Sequence, residues 1–359
     1  PRYRDGGEAL TLLWTPWEQG YGDPLIRFIA PLAEQRLEGR EAPSILAISG
    51  LRKPNLIERL RAVVPHSTLC ASERPSPPHL ERCPSACYRD VRVCDMNRMR
   101  EPSHPLRAMA AIDRWWLNVS VAEQAPAPLG ANEPVRVLWA ERLPSQRRRI
   151  LNLRELASRC DGMRVGSARL SCAVLPSTEI SPEEKARRVR AAHVFVSGYG
   201  GDELNALHMR AGALLEIVSE AFVKSQAKWF ARNSERYVLG QGRMAPKEDP
   251  SYPLRFFRVV VEAARTEWDP SCTKTLPAWV RQRAAGLPSS PSRSRFESHA
   301  GEGLGARGRS VENATFLLWQ ACSPRAGLRP EWATVGETLR KAVAAVLELH
   351  AQFGASEPV

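Results

Sequence analysis

Val135-Arg136-Val137-Leu138-Trp139-Ala140, His193-Val194-Phe195-Val196-Ser197 and Ala213-Leu214-Leu215-Glu216-Ile217-Val218 are three apolar runs within one stretch, 135–218. Helix-like segments separate them, and strands alternating with helices of this length predict a parallel sheet and an α/β fold. Open parallel sheets bind ligands beyond the carboxyl ends of their strands. The run that ends at Ser197 leads directly into Gly198-Tyr199-Gly200-Gly201-Asp202-Glu203-Leu204-Asn205. Glycines there let a backbone approach a ligand closely, so the segment is a candidate nucleotide or nucleotide-sugar loop.

The first run continues into Glu141-Arg142-Leu143-Pro144-Ser145-Gln146-Arg147-Arg148-Arg149, with four arginines between 142 and 149. Ile150, Leu151, Leu153 and Leu156 follow at roughly helical spacing, with Asn152 between them. A basic turn between a strand's carboxyl end and a helix's start suits a diphosphate, because guanidinium forks match phosphate oxygens. A solvated basic turn is the plainer alternative. Ser181-Pro182-Glu183-Glu184 combines a capping serine, a proline at the first helical position and a glutamate at the third, and predicts a helix start. Glu216 interrupts the last apolar run. A carboxylate inside a sheet needs a partner, which a site arginine or a sugar hydroxyl would supply unless the side chain faces outward.

Taken in order, these segments resemble the family 61 glycosyltransferases, which include plant xylosyl- and arabinosyltransferases and animal enzymes that add N-acetylglucosamine to proteins. Arg142 with Arg148-Arg149-Ile150-Leu151-Asn152 is similar to the family's RRIxN segment, and Ser181-Pro182-Glu183-Glu184 to its S-x-E-E/Q helix start. Val196 to Met209 is similar to VGxHGAGLTNxxFM, and Arg210-Ala211-Gly212-Ala213-Leu214-Leu215-Glu216-Ile217 to RPGAxLLEI. The match spans about a quarter of the chain. It departs from the family at Tyr199, where histidine is usual, at Asp202 in place of glycine, at Glu203 in place of an apolar residue and at Ala211 in place of proline.

The resemblance implies a GT-B-like architecture, two Rossmann-like domains facing across a cleft, and inverting transfer without an obligatory metal or cofactor. Carried over by position, Arg142, Arg148, Arg149 and Asn152 would lie near the donor diphosphate. Tyr199, Gly200, Gly201 and Asn205 would form the loop against the nucleotide-sugar, with Glu216 behind. Inverting transfer needs a base for the acceptor hydroxyl and positive charge for the leaving diphosphate. Asp202 and Glu203 are the carboxylates nearest the loop and are the candidate catalytic residues; a base from the amino-terminal half is the other option. The expected activity is hexosyl or pentosyl transfer from a nucleotide-sugar, a UDP-sugar first, to a glycan or protein hydroxyl. Tyr199 and Asp202 also fit a catalytically inactive relative that binds the same ligands.

Length and composition agree with two domains: 359 residues, 43% hydrophobic, with 29 prolines and 23 glycines. Residues 1–123 are expected to form an acceptor-side α/β domain, 124–134 a linker, and 135–359 the donor-binding domain. The net charge of +12 invites a nucleic-acid reading, but the basic residues are scattered and no zinc-finger, RNA-recognition or helix-turn-helix pattern occurs. Eight cysteines, three of them (Cys83, Cys87, Cys94) in a proline-rich stretch without zinc spacing, favour disulfides. Asn118-Val119-Ser120 and Asn313-Ala314-Thr315 fit the glycosylation acceptor pattern. Together with the family resemblance, these point to a glycoprotein of the secretory lumen, in the Golgi or endoplasmic reticulum. No apolar run reaches 18 residues, and the start at Pro1 leaves room for an amino-terminal membrane anchor upstream. Trp115-Trp116 are read as core residues with sugar stacking as the alternative. Residues 287–310 are read as a mobile loop, and 339–353 as an amphipathic closing helix with Val343, Val346, Leu347 and His350 on one side.

Overall fold

The structure is a computed structural model and describes residues 5–14, 25, 29–49, 54–72, 80–83, 87–95, 105–120, 123, 129–130, 132–143, 148–178, 180–220, 253–262, 265–267, 274, 322 and 327–355. The stretch 287–310, Asn313, Cys272 and residues 144–147 lie outside these. The chain divides into two compact units, one holding Pro1–Ala125 and the other Pro126–Leu239 with Asp249–Val359. Both are α/β.

In the first unit, β1 (Asp5–Trp14), β2 (Ile45–Ser49), β3 (Thr68–Ala71), β4 (Glu81–Arg82) and β5 (Cys87–Asp95) form one sheet in the order β4-β3-β2-β1-β5, with every pair parallel. The helices are α1 (Ala30–Leu37), α2 (Pro54–Val63) and α3 (Pro105–Leu117). Leu56, Ile57, Leu60 and Val63 give α2 one buried face at helical spacing, and α3 packs on α1 and α2. Arg36 Nη1 donates to the carbonyls of Ala62 and Val63, which closes the carboxyl end of α2. The Arg36 guanidinium stacks 4.0 Å from the Trp115 ring, and that of Arg59 4.1 Å from Trp116. Both indoles thus serve helix packing through arginine. A disulfide joins Cys70 on β3 to Cys83 just past β4.

The second unit carries a six-stranded sheet built from β6 (Val135–Ala140), β7 (Arg164–Val165), β8 (Ala168–Leu175), β9 (Val194–Gly198), β10 (Gly212–Ser219) and β11 (Leu254–Val261). Its order is β11-β10-β9-β6-β8-β7. All pairs are parallel except the β7–β8 hairpin. Leaving out β7, the chain runs 2-1-3-4-5 across the sheet, a doubly wound order whose direction reverses between β6 and β9. Strand β8, absent from the sequence expectation, pairs with β6 along its length. Between the strands lie α4 (Leu153–Cys160), α5 (Pro182–Ala191) and a 3₁₀ helix (Gly201–His208). The last helix, α6 (Trp332–Ala355), begins before residue 339 and covers the expected closing segment.

Side chains alternate across each strand. Val135, Val137 and Trp139 of β6, Val194 and Val196 of β9, Ala213, Leu215 and Ile217 of β10, and Val259 and Val261 of β11 join one core with Leu156 of α4 and Val335, Leu339, Val343 and Val346 of α6. Leu214, Glu216 and Val218 therefore point to the opposite face, on the side of the 3₁₀ helix. Helix α5 starts as its sequence predicts: Ser181 Oγ accepts from the Glu184 amide at 3.2 Å, with Pro182 at the first position. Short strands β12 (Thr266–Glu267) and β13 (Gly327–Leu328) pair antiparallel, and Ile150 bridges to Leu328.

A second disulfide ties Cys160, the last residue of α4, to Cys172 on β8, and Cys322 is also disulfide-bonded. Such bonds fit maturation in an oxidising compartment. Among the described residues, no helix is long and apolar enough to cross a membrane.

Candidate functional site

The carboxyl ends of β6 and β9 meet where the strand order reverses, and Arg142, Arg148, Tyr199, Gly200 and Asp202 converge there. Arg142 is buried and consumes its donors internally. Its Nε donates to Asp202 Oδ2 at 2.9 Å, its Nη2 to the Gly198 carbonyl at 2.8 Å, and its Nη1 to the Tyr199 carbonyl at 3.1 Å. A longer contact, 3.4 Å, reaches the Arg148 carbonyl. One guanidinium thereby fastens the loop after β9 to the loop after β6.

Two glycines make this approach possible. A Cβ at Gly198 would sit 2.6 Å from the Arg148 carbonyl oxygen, so no side chain fits there. Gly200 has φ +134°, outside ordinary L-residue space, and its missing Cβ leaves room for the Arg148 guanidinium at 3.1 Å. Arg148 itself has φ +60°, which arginine rarely adopts. Its guanidinium lies 5.1 Å from the Tyr199 ring centre.

Asp202 is half-buried, and Lys185 Nζ of α5 lies 3.8 Å from its Oδ1. Gly201 is exposed beside it. Asn205, by contrast, is buried and donates Nδ2 to the Asp202 carbonyl at 2.8 Å, so it holds the 3₁₀ turn. Glu203 turns inward. Its Oε1 accepts from the Gly200 amide at 2.8 Å, and the residue is 3% exposed. Burial, then the neighbouring Glu216 carboxylate, and then a hydrogen bond with Glu216 push the Glu203 carboxyl well above the usual glutamate range, against the pull of Arg142 and the Gly200 amide. Glu216 is fully buried and ion-paired with Arg258, its direct partner in the β10–β11 register. The interior carboxylate thus has an arginine partner on the next strand, away from the arginine turn.

The RRIxN-like segment divides in two. Arg148 joins the strand ends, whereas the Arg149 carbonyl accepts from the Leu328 amide at 2.7 Å and Asn152 Nδ2 donates to the Pro330 carbonyl at 3.0 Å. Lys185 and Arg258 escaped sequence reasoning. Arg258 carried the same signal as Glu216, a charge inside an apolar run (Leu254–Val261), and the two flag each other. Among the described residues, no group of three or more histidine, cysteine or acidic side chains could hold a metal ion. No protein-family model matches the chain, and no curated protein is significantly similar to it.

Proposed function

We propose that the second unit binds the diphosphate of a nucleotide-sugar at the β6–β9 reversal, and that the chain is an inverting glycosyltransferase similar to family 61. One observation carries the reading: a cation, Arg148, held over a glycine at the carboxyl ends of the two strands where a doubly wound sheet changes direction. The donor is a UDP-sugar and the acceptor a glycan or protein hydroxyl, with the first unit on the acceptor side of a GT-B-like pair. Arg148, with Lys185 near Asp202 of the same loop, offsets charge developing on the leaving diphosphate without a metal. Asp202 is the loop carboxylate with access to solvent, its side chain 28% exposed, and is the better-placed base of the two acidic residues. The disulfides suit a Golgi or endoplasmic-reticulum lumen.

The test is a thermal-shift and calorimetric titration with UDP, with and without manganese, on the parent chain and on Arg148→Ala. A ligand at a hundred times its Kd adds about 2.7 kcal/mol of stability. Loss of a charge-assisted bond worth about 1.5–3 kcal/mol predicts affinity about 10- to 150-fold weaker for the variant. Equal UDP affinity in both proteins would remove Arg148 from the site. A second reading, binding without turnover, is favoured by the direct ion pair between Asp202 and Arg142. UDP-sugar binding without transfer or hydrolysis would select it.

A further inference from the structure

We infer that Glu203 is a positioning residue: its neutral carboxyl bridges the Gly200 amide to the Glu216 carboxylate and fixes the backbone of the loop that follows β9. Its geometry does not depend on any ligand. Glu203 Oε1 takes the Gly200 N–H at 2.8 Å, and both carboxyl groups are buried. Glu216 Oε2 is occupied by Arg258, while among the described residues its buried Oε1 meets no other donor in full hydrogen-bond geometry. The Glu203 side chain is hydrogen-bonded to that of Glu216.

Two adjacent buried carboxylates cannot both ionise cheaply, so one keeps a proton. The charged groups around the pair decide which. Arg258 of β11 compensates Glu216. Arg142, following β6, gives its hydrogen bonds to Asp202 and to the carbonyls of Gly198 and Tyr199. Lys185 of α5 faces Asp202. Glu203 is left as the protonated member, donating O–H to Glu216 while accepting N–H from Gly200. A carboxylic acid in this place does for the loop what a side-chain amide would do, with one difference: it can be switched off.

The direction follows from the raised value of the folded carboxyl. The bridge is fully present at acid pH and is lost as pH rises through that value, when the proton leaves to solvent. Its bearing on ligand binding rests on the nucleotide-sugar reading; the bridge itself does not.

The experiment is amide hydrogen exchange at Gly200, resolved by NMR over a pH series and corrected for intrinsic base catalysis, on the parent, Glu203→Gln and Glu203→Ala. The parent is expected to lose protection by about tenfold per pH unit once Glu203 titrates. Gln accepts from Gly200 and donates to Glu216 at every pH, so E203Q is expected to stay flat and protected, whereas E203A is unprotected throughout. An infrared band for a buried protonated carboxyl should be present in the parent and absent from E203Q. Identical pH profiles for parent and E203Q, or no such band, would overturn the inference. UDP affinity measured on the same samples should follow the Gly200 profile. Absence of UDP binding at every pH, with the exchange profiles as expected, would overturn the functional reading and leave the bridge standing.

Discussion

Replacing Arg258 by methionine tests the buried charge pair directly. Glu216 is wholly inaccessible and Arg258 has 21% of its side chain exposed, so the substitution strands a carboxylate in the sheet. Breaking such a pair from one side costs about 3–5 kcal/mol. The lower end is expected, because the exposed fraction of Arg258 marks a path by which water can reach Glu216. The Arg258 guanidinium also lies 5.1 Å from the Phe256 ring centre, a contact that adds up to about 1 kcal/mol. For a unit of this size each kcal/mol moves Tm by about 2–4 °C, which places the R258M midpoint about 6–15 °C below the parent. The assay is thermal unfolding at pH 7 with disulfides intact, together with the double variant E216Q/R258M. The double variant removes the stranded charge and should recover more than half of the loss. An R258M chain within about 0.5 kcal/mol of the parent, or a double variant no better than the single, would refute the reasoning.

His193 accepts from the Arg136 amide at 3.0 Å, and burial, with Arg136 and His350 adding to it, lowers its pKa to about 3. The unfolded chain takes up this proton near pH 6.5 and the folded chain does not, so stability should fall by about 1.4 kcal/mol per pH unit between 6.5 and 3; urea titrations of His193→Asn should show a shallower acid slope. Gly198→Ala forces a Cβ into the Arg148 carbonyl and should cost about 1–3 kcal/mol in urea unfolding while loosening UDP binding. A silent G198A would contradict the close approach of the two loops. Asn118 is exposed at φ +53°, a conformation asparagine tolerates. Chain secreted from eukaryotic cells should lose one glycan in Asn118→Gln, read as a gel shift that glycosidase treatment erases.

Strands β6, β9 and β10 were legible because β9 and β10 are buried throughout and β6 at every residue but Arg136, and such strands read as nearly continuous apolar runs. β8 was not. Exposed Arg169, Ser171 and Ala173 interleave with buried Leu170 and Leu175, and its neighbour β7 is only two residues long, so the run lacks continuous hydrophobicity. The switch-point loop could be located from its glycines, but not the assignment of its charges. Arg142 read as a phosphate ligand, yet its bonds go to carbonyls more than 50 residues away in sequence. Spacing along the chain carries no information about contacts of that separation. Glu203 and Asp202 are adjacent in sequence and face opposite environments, because one turn of 3₁₀ helix sends one inward and the other toward the strand ends.

The Cys160–Cys172 disulfide encloses the turn of the β7–β8 hairpin, whose Gly166 and Ser167 are exposed. A protease that cuts this turn leaves the two pieces covalently joined and both anchored, one by α4 and the other by pairing with β6. The nicked protein would migrate as a single band until a reductant is added, then separate into two. A gel run both ways on a Cys322→Ser chain, in which the bond of Cys322 cannot join the pieces, therefore reports whether a preparation has closed this ring, before any ligand is tried.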